Sequence, residues 1–288
     1  MSGKRMKNLG KVFKELRESR KISLRKATGG RFSASLLSRF ENGQSEISAQ
    51  KLFAALENIH ANVEELLFLA RDFHHDANSE FRNQLFKAVN PKDLTSLHTL
   101  YQREYQKIPF SKDKQEHILN AILIKSYMKA IDETITLTSE EERVLHDYLF
   151  SVEIWGLYEL SFFSFCSPLL SVQLLTKYTR EMLRKSDFLQ GVGKNRNMMH
   201  TLLLNGFMAC IEAGDFTNAL YFKKQIEKNF FEENETYFRI VYLWAEGLLD
   251  SKQGRVEDGQ RKMEDAVRIF EMIGCSKSAD YYRSAIEC

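Results

Sequence analysis

The stretch from Leu9 to Ser48 reads LGKVFKELRESRKISLRKATGGRFSASLLSRFENGQSEIS. Leu9, Val12, Phe13 and Leu16 recur three and four residues apart, the period of a helix with one apolar face, over Asn8–Arg20. Ser23 stands where its hydroxyl can accept from the first turn of a second helix, Leu24–Thr28, and Gly29-Gly30 ends that helix. Ser33 caps a third helix, Ala34–Glu41, which Asn42-Gly43 stops. Further on, Ser48 caps Ala49–Asn58, and a fifth helix starts near Val63 and runs past Leu69. Short helices with a tight glycine turn between the second and third have the spacing of a helix-turn-helix.

In that motif the third helix enters the major groove with its N-terminal residues toward the base edges. Leu37 and Phe40 face the core, flanked by Leu36, while Ser35, Ser38 and Arg39 fall on the outer face. Ala34 and Ser35 are small enough to let the helix sit close to the bases, and Arg39 can donate two hydrogen bonds to guanine O6 and N7. Arg17, Ser33, Gln44 and Lys51 are placed to bind phosphates. Lys7, Lys11, Lys14 and Arg20 add attraction that salt weakens. Glu41 is assigned differently, to an ion pair inside the small domain with Arg17 or Arg20.

Charge supports this division of labour. The net charge is only +2, but residues 1–71 carry 14 Lys+Arg against 7 Asp+Glu, and the remainder is acidic. A basic head on an acidic body suits a polyanion-binding module joined to a second function. The three prolines and 14 glycines in 288 residues leave room for long helices. Cys166, Cys210, Cys275 and Cys288 form no CxxC pair and none lies in the basic segment, which excludes a zinc finger and fits a reducing, cytoplasmic setting. No signal peptide is expected, because no long apolar stretch follows the basic Met1–Gly10, and no membrane span, because Glu159, Pro168 and several serines interrupt the most apolar run, Leu157–Leu175.

Segment 32–47, FSASLLSRFENGQSEI, is the core of a resemblance that covers residues 8–71. It resembles the N-terminal domain of the Rgg/GadR/MutR regulators of Gram-positive bacteria, Xre-type helix-turn-helix proteins related to phage repressors. The stretch VEIWGLYELSFFS, Val152–Ser164, extends the likeness. The resemblance implies a homodimer on a near-palindromic double-stranded DNA operator. It also implies a C-terminal tetratricopeptide-like domain that, in many members, binds a short imported peptide pheromone.

The expected architecture is all-α: a five-helix, lambda-repressor-like domain over 1–72, a linker over 73–79, and an effector-binding and dimerisation domain of helical repeats over 80–288. Helices are expected at 79–89, 92–107, 112–132, 139–152, 154–165, 169–186, 194–213, 216–230, 235–253, 256–273 and 276–287, with Thr138 and Glu141 forming a capping box. EAGDFTNAL at 212–220 and SKQGRVEDG at 251–259 each follow one long helix and start another, with Gly214 and Gly254 40 residues apart. A helix, a glycine turn and a second helix make the unit of a stacked array with a ligand groove, although the period exceeds that of a tetratricopeptide repeat. The competing architecture is a generic helical bundle.

A groove for an extended peptide needs amides to bond its backbone and apolar walls for its side chains. Asn197 and Asn205 on helix 194–213, with Tyr237 and Trp244 on helix 235–253, are the candidate ligand contacts, and Arg239, like Arg180, is a candidate for a peptide carboxylate. The aromatic cluster Trp155, Tyr158, Phe162, Phe163 and Phe165 is core by its helical spacing, or partly ligand site or dimer interface. An enzyme is not expected: there is no glycine-rich phosphate loop, HExxH, GxSxG or CxxC. No cofactor or metal is expected, and His74-His75-Asp76 reads as solvated linker because adjacent residues diverge on a helix. Two other readings stay open: a ligand-independent phage-type repressor and a helical-repeat adaptor. RNA polymerase is a further candidate partner.

Overall fold

The structure, a computed structural model, describes residues 7–71, 81, 84, 85, 87, 88, 93–186, 193–228 and 230–286. Among them every regular element is a helix. The chain divides into two compact units, Met1–Lys87 and Ala88–Cys288. The predicted linker at 73–79, with His74-His75-Asp76, lies outside the described residues, as do parts of the predicted helix 79–89.

The first unit holds α1 (Leu9–Ser19), α2 (Leu24–Thr28), α3 (Ala34–Glu41), α4 (Ala49–Asn58) and α5 (Val63–Ala70). Each begins at a side chain that accepts from an amide left free by the first turn. Ser23, Ser33 and Ser48 cap α2, α3 and α4 as expected, Asn8 caps α1, and Asn62 with Glu65 closes a reciprocal box on α5. The apolar faces converge on Val12, Phe13, Ala27, Leu37, Phe40, Leu56, Ile59 and Leu66. The Asn58 amide donates to the Ala27 carbonyl at 3.0 Å, which ties α4 to the end of α2 and fixes the turn ahead of α3.

The second unit runs α6 (Leu94–Lys107), α7 (Lys114–Lys129), α8 (Ser139–Ser151), α9 (Leu157–Cys166), α10 (Val172–Ser186), α11 (Gly193–Glu212), α12 (Phe216–Lys228), α13 (Thr236–Lys252), α14 (Val256–Met272) and α15 (Ser276–Ser284). The capping box on α8 forms as expected, and its Glu141 is fully buried. Lys125 Nζ donates to that carboxylate at 2.6 Å, and the Tyr101 and Tyr105 hydroxyls donate at 2.9 and 3.1 Å. Burial alone would raise the Glu141 carboxyl; these donors hold it below the usual carboxylate range.

Repetition is clearest in the turns. Gly214, Gly254 and Gly274 all take positive φ, 70°, 92° and 77°, where a Cβ would be strained. At each, the following amide reaches back to a carbonyl five residues earlier: Asp215 to Cys210, Arg255 to Asp250, Cys275 to Phe270. This is the same helix stop used three times. Between α13 and α14 the backbones nearly touch: a Cβ on Gly247 would lie 2.6 Å from the Gly259 carbonyl, and one on Gly259 would lie 2.5 Å from the Gly247 carbonyl. The surrounding core includes Phe207, Phe222, Trp244, Phe270 and Tyr282.

Trp155 and Phe163 are fully buried and Phe162 nearly so, so most of the aromatic cluster is core; Tyr158 is 38% exposed. Cys166 and Cys210 are buried free thiols, with burial pushing both up from the ordinary thiol value, and Cys275 is exposed. No described helix is long and apolar enough to cross a membrane.

Candidate nucleic-acid interface and effector cavity

The serine cap sets the working face of α3. Ser33 Oγ accepts the Leu36 amide at 3.2 Å, and the Ser35 hydroxyl donates to Ser33 Oγ at 3.2 Å. Ser33, Ser35, Arg39 and Gln44 are exposed; Ala34, Ser38 and Lys51 are half-buried. Among the described residues, no carboxylate engages the Arg39 guanidinium. Gly43 has φ 71°, and the Gln44 amide closes the helix end on the Arg39 carbonyl at 2.8 Å. The outer face of α3 is therefore small, hydroxylated and cationic at one point, which matches what base edges and phosphates require.

Arg17 is corrected. It is 7% exposed, and its guanidinium bonds inside the unit. Nε and Nη2 donate to Glu41 at 2.6 and 2.7 Å, Nη1 to the Ile22 carbonyl at 2.7 Å, and Nη2 also to Glu18 at 3.2 Å. The Glu41 hydrogen bonds raise Arg17 above its ordinary value, so the guanidinium stays charged. Arg17 clamps α1 to the end of α3, and its burial keeps it from presenting the guanidinium to a phosphate. Arg20 pairs with Glu65 instead, at 3.4 Å. Arg25 and Lys26 on α2, which the sequence reading did not single out, are exposed, and Arg31 after it is exposed and pairs with Glu57 at 3.5 Å. In this motif the helix before the recognition helix crosses the backbone, so basic residues on it were the available signal.

In the second unit a cavity of 590 Å³ opens between the start of α11 and the segment leading into α13. Asn197 and Tyr237, two of the predicted ligand residues, both line it, with Arg196, Glu232, Asn234 and Glu235. Arg196 bonds Glu235 through Nε and Nη2, both at 3.1 Å, and Glu232 through Nη1 at 2.9 Å. A second cavity of 220 Å³ shares Arg196. Asn205 lies two turns further along α11, half-buried, and lines neither cavity.

Two ligand assignments are corrected. Trp244 is 3% exposed and packs on Tyr282 with ring centroids 5.2 Å apart, so it belongs to the core. Arg239 donates to the Glu232 and Phe231 carbonyls at 3.0 and 2.7 Å and lies over the Phe230 ring. It fastens the segment before α13 rather than awaiting a carboxylate. Arg180 is likewise engaged, with Asn218 at 2.9 Å and the Tyr221 ring. Arg196, Glu232 and Glu235 carried no local signal in the sequence, because their pairing joins residues about 39 apart.

Residues 98–284 match the family described as HTH-type transcriptional regulator Rgg, C-terminal domain. Among solved structures, a variant of the SHP pheromone receptor Rgg2 of Streptococcus dysgalactiae is 27% identical; the match covers 98% of this chain and 99% of that one with a TM-score of 0.82. A candidate transcriptional regulator from Listeria monocytogenes EGD-e is 20% identical over 98% and 97% of the two chains, with a TM-score of 0.81. The PrgX/iCF10 complex, 17% identical over 98% and 95%, reaches 0.73 and shares the fold. With a helix-turn-helix unit in front and the family's C-terminal domain spanning most of the remainder, the chain belongs to the Rgg family of helix-turn-helix transcriptional regulators.

Proposed function

We propose that this regulator is a cytoplasmic homodimer that senses a short peptide. The peptide occupies the 590 Å³ cavity of the second unit and changes how the first unit binds its operator or contacts RNA polymerase. The observation that carries the reading is the meeting of Asn197 and Tyr237 in one open cavity, an amide and an aromatic wall of the kind an extended backbone needs. The name of Rgg2, a pheromone receptor, supports it. On the DNA side, Ser35, Ser38 and Arg39 contact bases, while Ser33, Gln44 and Lys51 hold phosphates. A two-fold dimer sets its recognition helices roughly 34 Å apart on one face of the duplex.

The test is a gel shift on duplexes selected by the full-length protein from a random-sequence pool. Arg39→Ala weakens binding to the selected site by about 1–3 kcal/mol and relaxes its sequence, leaving the salt-sensitive non-specific binding in place. Equal, equally selective binding by the variant would count against α3 as the reading helix.

A further inference from the structure

We propose that the 220 Å³ cavity beside Arg196 receives the last residue of the peptide, holding its apolar side chain and its free carboxylate. This rests on the peptide-sensor reading above. The cavity is smaller than the roughly 300–1,000 Å³ of pockets for whole drug-sized ligands, and suits one residue rather than a peptide. Leu183 of α10, Met199 and Leu203 of α11, and Phe230 give it apolar walls.

Its polar groups are donors. Arg196, Lys228 and His200 line it, and Glu235, which pairs with Arg196, lies 3.6 Å from His200 Nε2. His200 is 3% exposed, and its Nε2 lies 3.2 Å from the Arg196 Nε–H. A guanidinium only donates, so Nε2 accepts and the ring proton sits on Nδ1. Burial holds the imidazole below its ordinary value, with the Glu235 carboxylate opposing in part, so the ring is neutral at pH 7. Nδ1 has no hydrogen-bond partner. A buried donor without an acceptor is unfavourable, and a ligand oxygen would relieve it.

Charge also sets the direction of the peptide. The larger cavity carries the carboxylates of Glu232 and Glu235, which repel a peptide C-terminus. The smaller one, lined by the Lys228 ammonium, attracts it. The backbone then passes the amides of Asn197 and Asn234 on the way in. Arg196 is itself bound to Glu235 and Glu232, so the groups that meet the carboxylate, in place of Arg180 and Arg239, are the Lys228 ammonium and the His200 Nδ1–H.

The experiment incubates the full-length protein with two libraries of short random-sequence peptides, identical except that one ends in a free carboxylate and the other in an amide. Bound peptides are identified by mass spectrometry. Free acids ending in Leu, Ile, Phe or Met should be recovered about tenfold over their amides. Lys228→Gln, an exposed change at the end of α12, and His200→Asn should each reduce that preference. Equal recovery of acids and amides would overturn the pocket and leave the peptide-sensor reading standing. Recovery of neither library would overturn both.

Discussion

Arg17 and Arg39 are the same residue type in one small unit, and their surroundings give them opposite work. Arg39 projects from the outer face of α3, whereas Arg17 lies against Glu41 with both partners nearly sealed from water. The helical period of α1 could place Arg17 near the end of α3 but not decide whether its guanidinium turned in or out. For that reason the Glu41 ion pair was legible, while the exclusion of Arg17 from phosphate contact was not. Removing one member of a buried pair strands the other charge, so Glu41→Gln should destabilise the first unit by about 3–5 kcal/mol. Replacing both, as Arg17→Met with Glu41→Leu, should recover most of that loss. Urea denaturation of the full chain checks this, and a single variant as stable as the wild type would refute it. In the second unit the same limit applied: helical register could place Asn197 and Tyr237 on the cavity they line, whereas Arg196, Glu232 and Glu235 meet only through the tertiary fold.

At the level of helices, local chemistry was legible almost residue by residue. A cap depends on a hydroxyl or amide three residues ahead of an orphan amide, and Ser23, Ser33, Ser48 and Thr138 all stand there. The turns at Gly214 and Gly254 were legible for the same reason. The third, at Gly274, follows only 20 residues after the second and escaped the 40-residue period. Close helix approach is a different matter, because it depends on which faces meet. Gly247 and Gly259 sit where α13 and α14 have no room for a side chain, and nothing in their spacing announces it. Gly259→Leu would force the two backbones apart and should destabilise the second unit by at least about 1–3 kcal/mol. Thermal unfolding followed by circular dichroism reads this as a lower Tm for the transition of that unit; an unchanged Tm would show that the helices can separate freely.

For the whole molecule, the charge asymmetry and the all-helical class were both readable from composition and breaker residues, and every regular element among the described residues is a helix. A ligand in the second unit can act on DNA only if it binds one arrangement of the dimer better than another, and a coupling of about 1–3 kcal/mol is enough for a switch. The most direct measurement is genome-wide mapping of DNA bound by the full-length regulator, with and without spent culture medium, alongside Arg39→Ala. The account predicts a recurring site of two inverted half-sites spaced by about one helical turn, absent from the Arg39→Ala map, with occupancy that changes when medium is added. A map with no recurring sequence, or one that Arg39→Ala leaves intact, would contradict it.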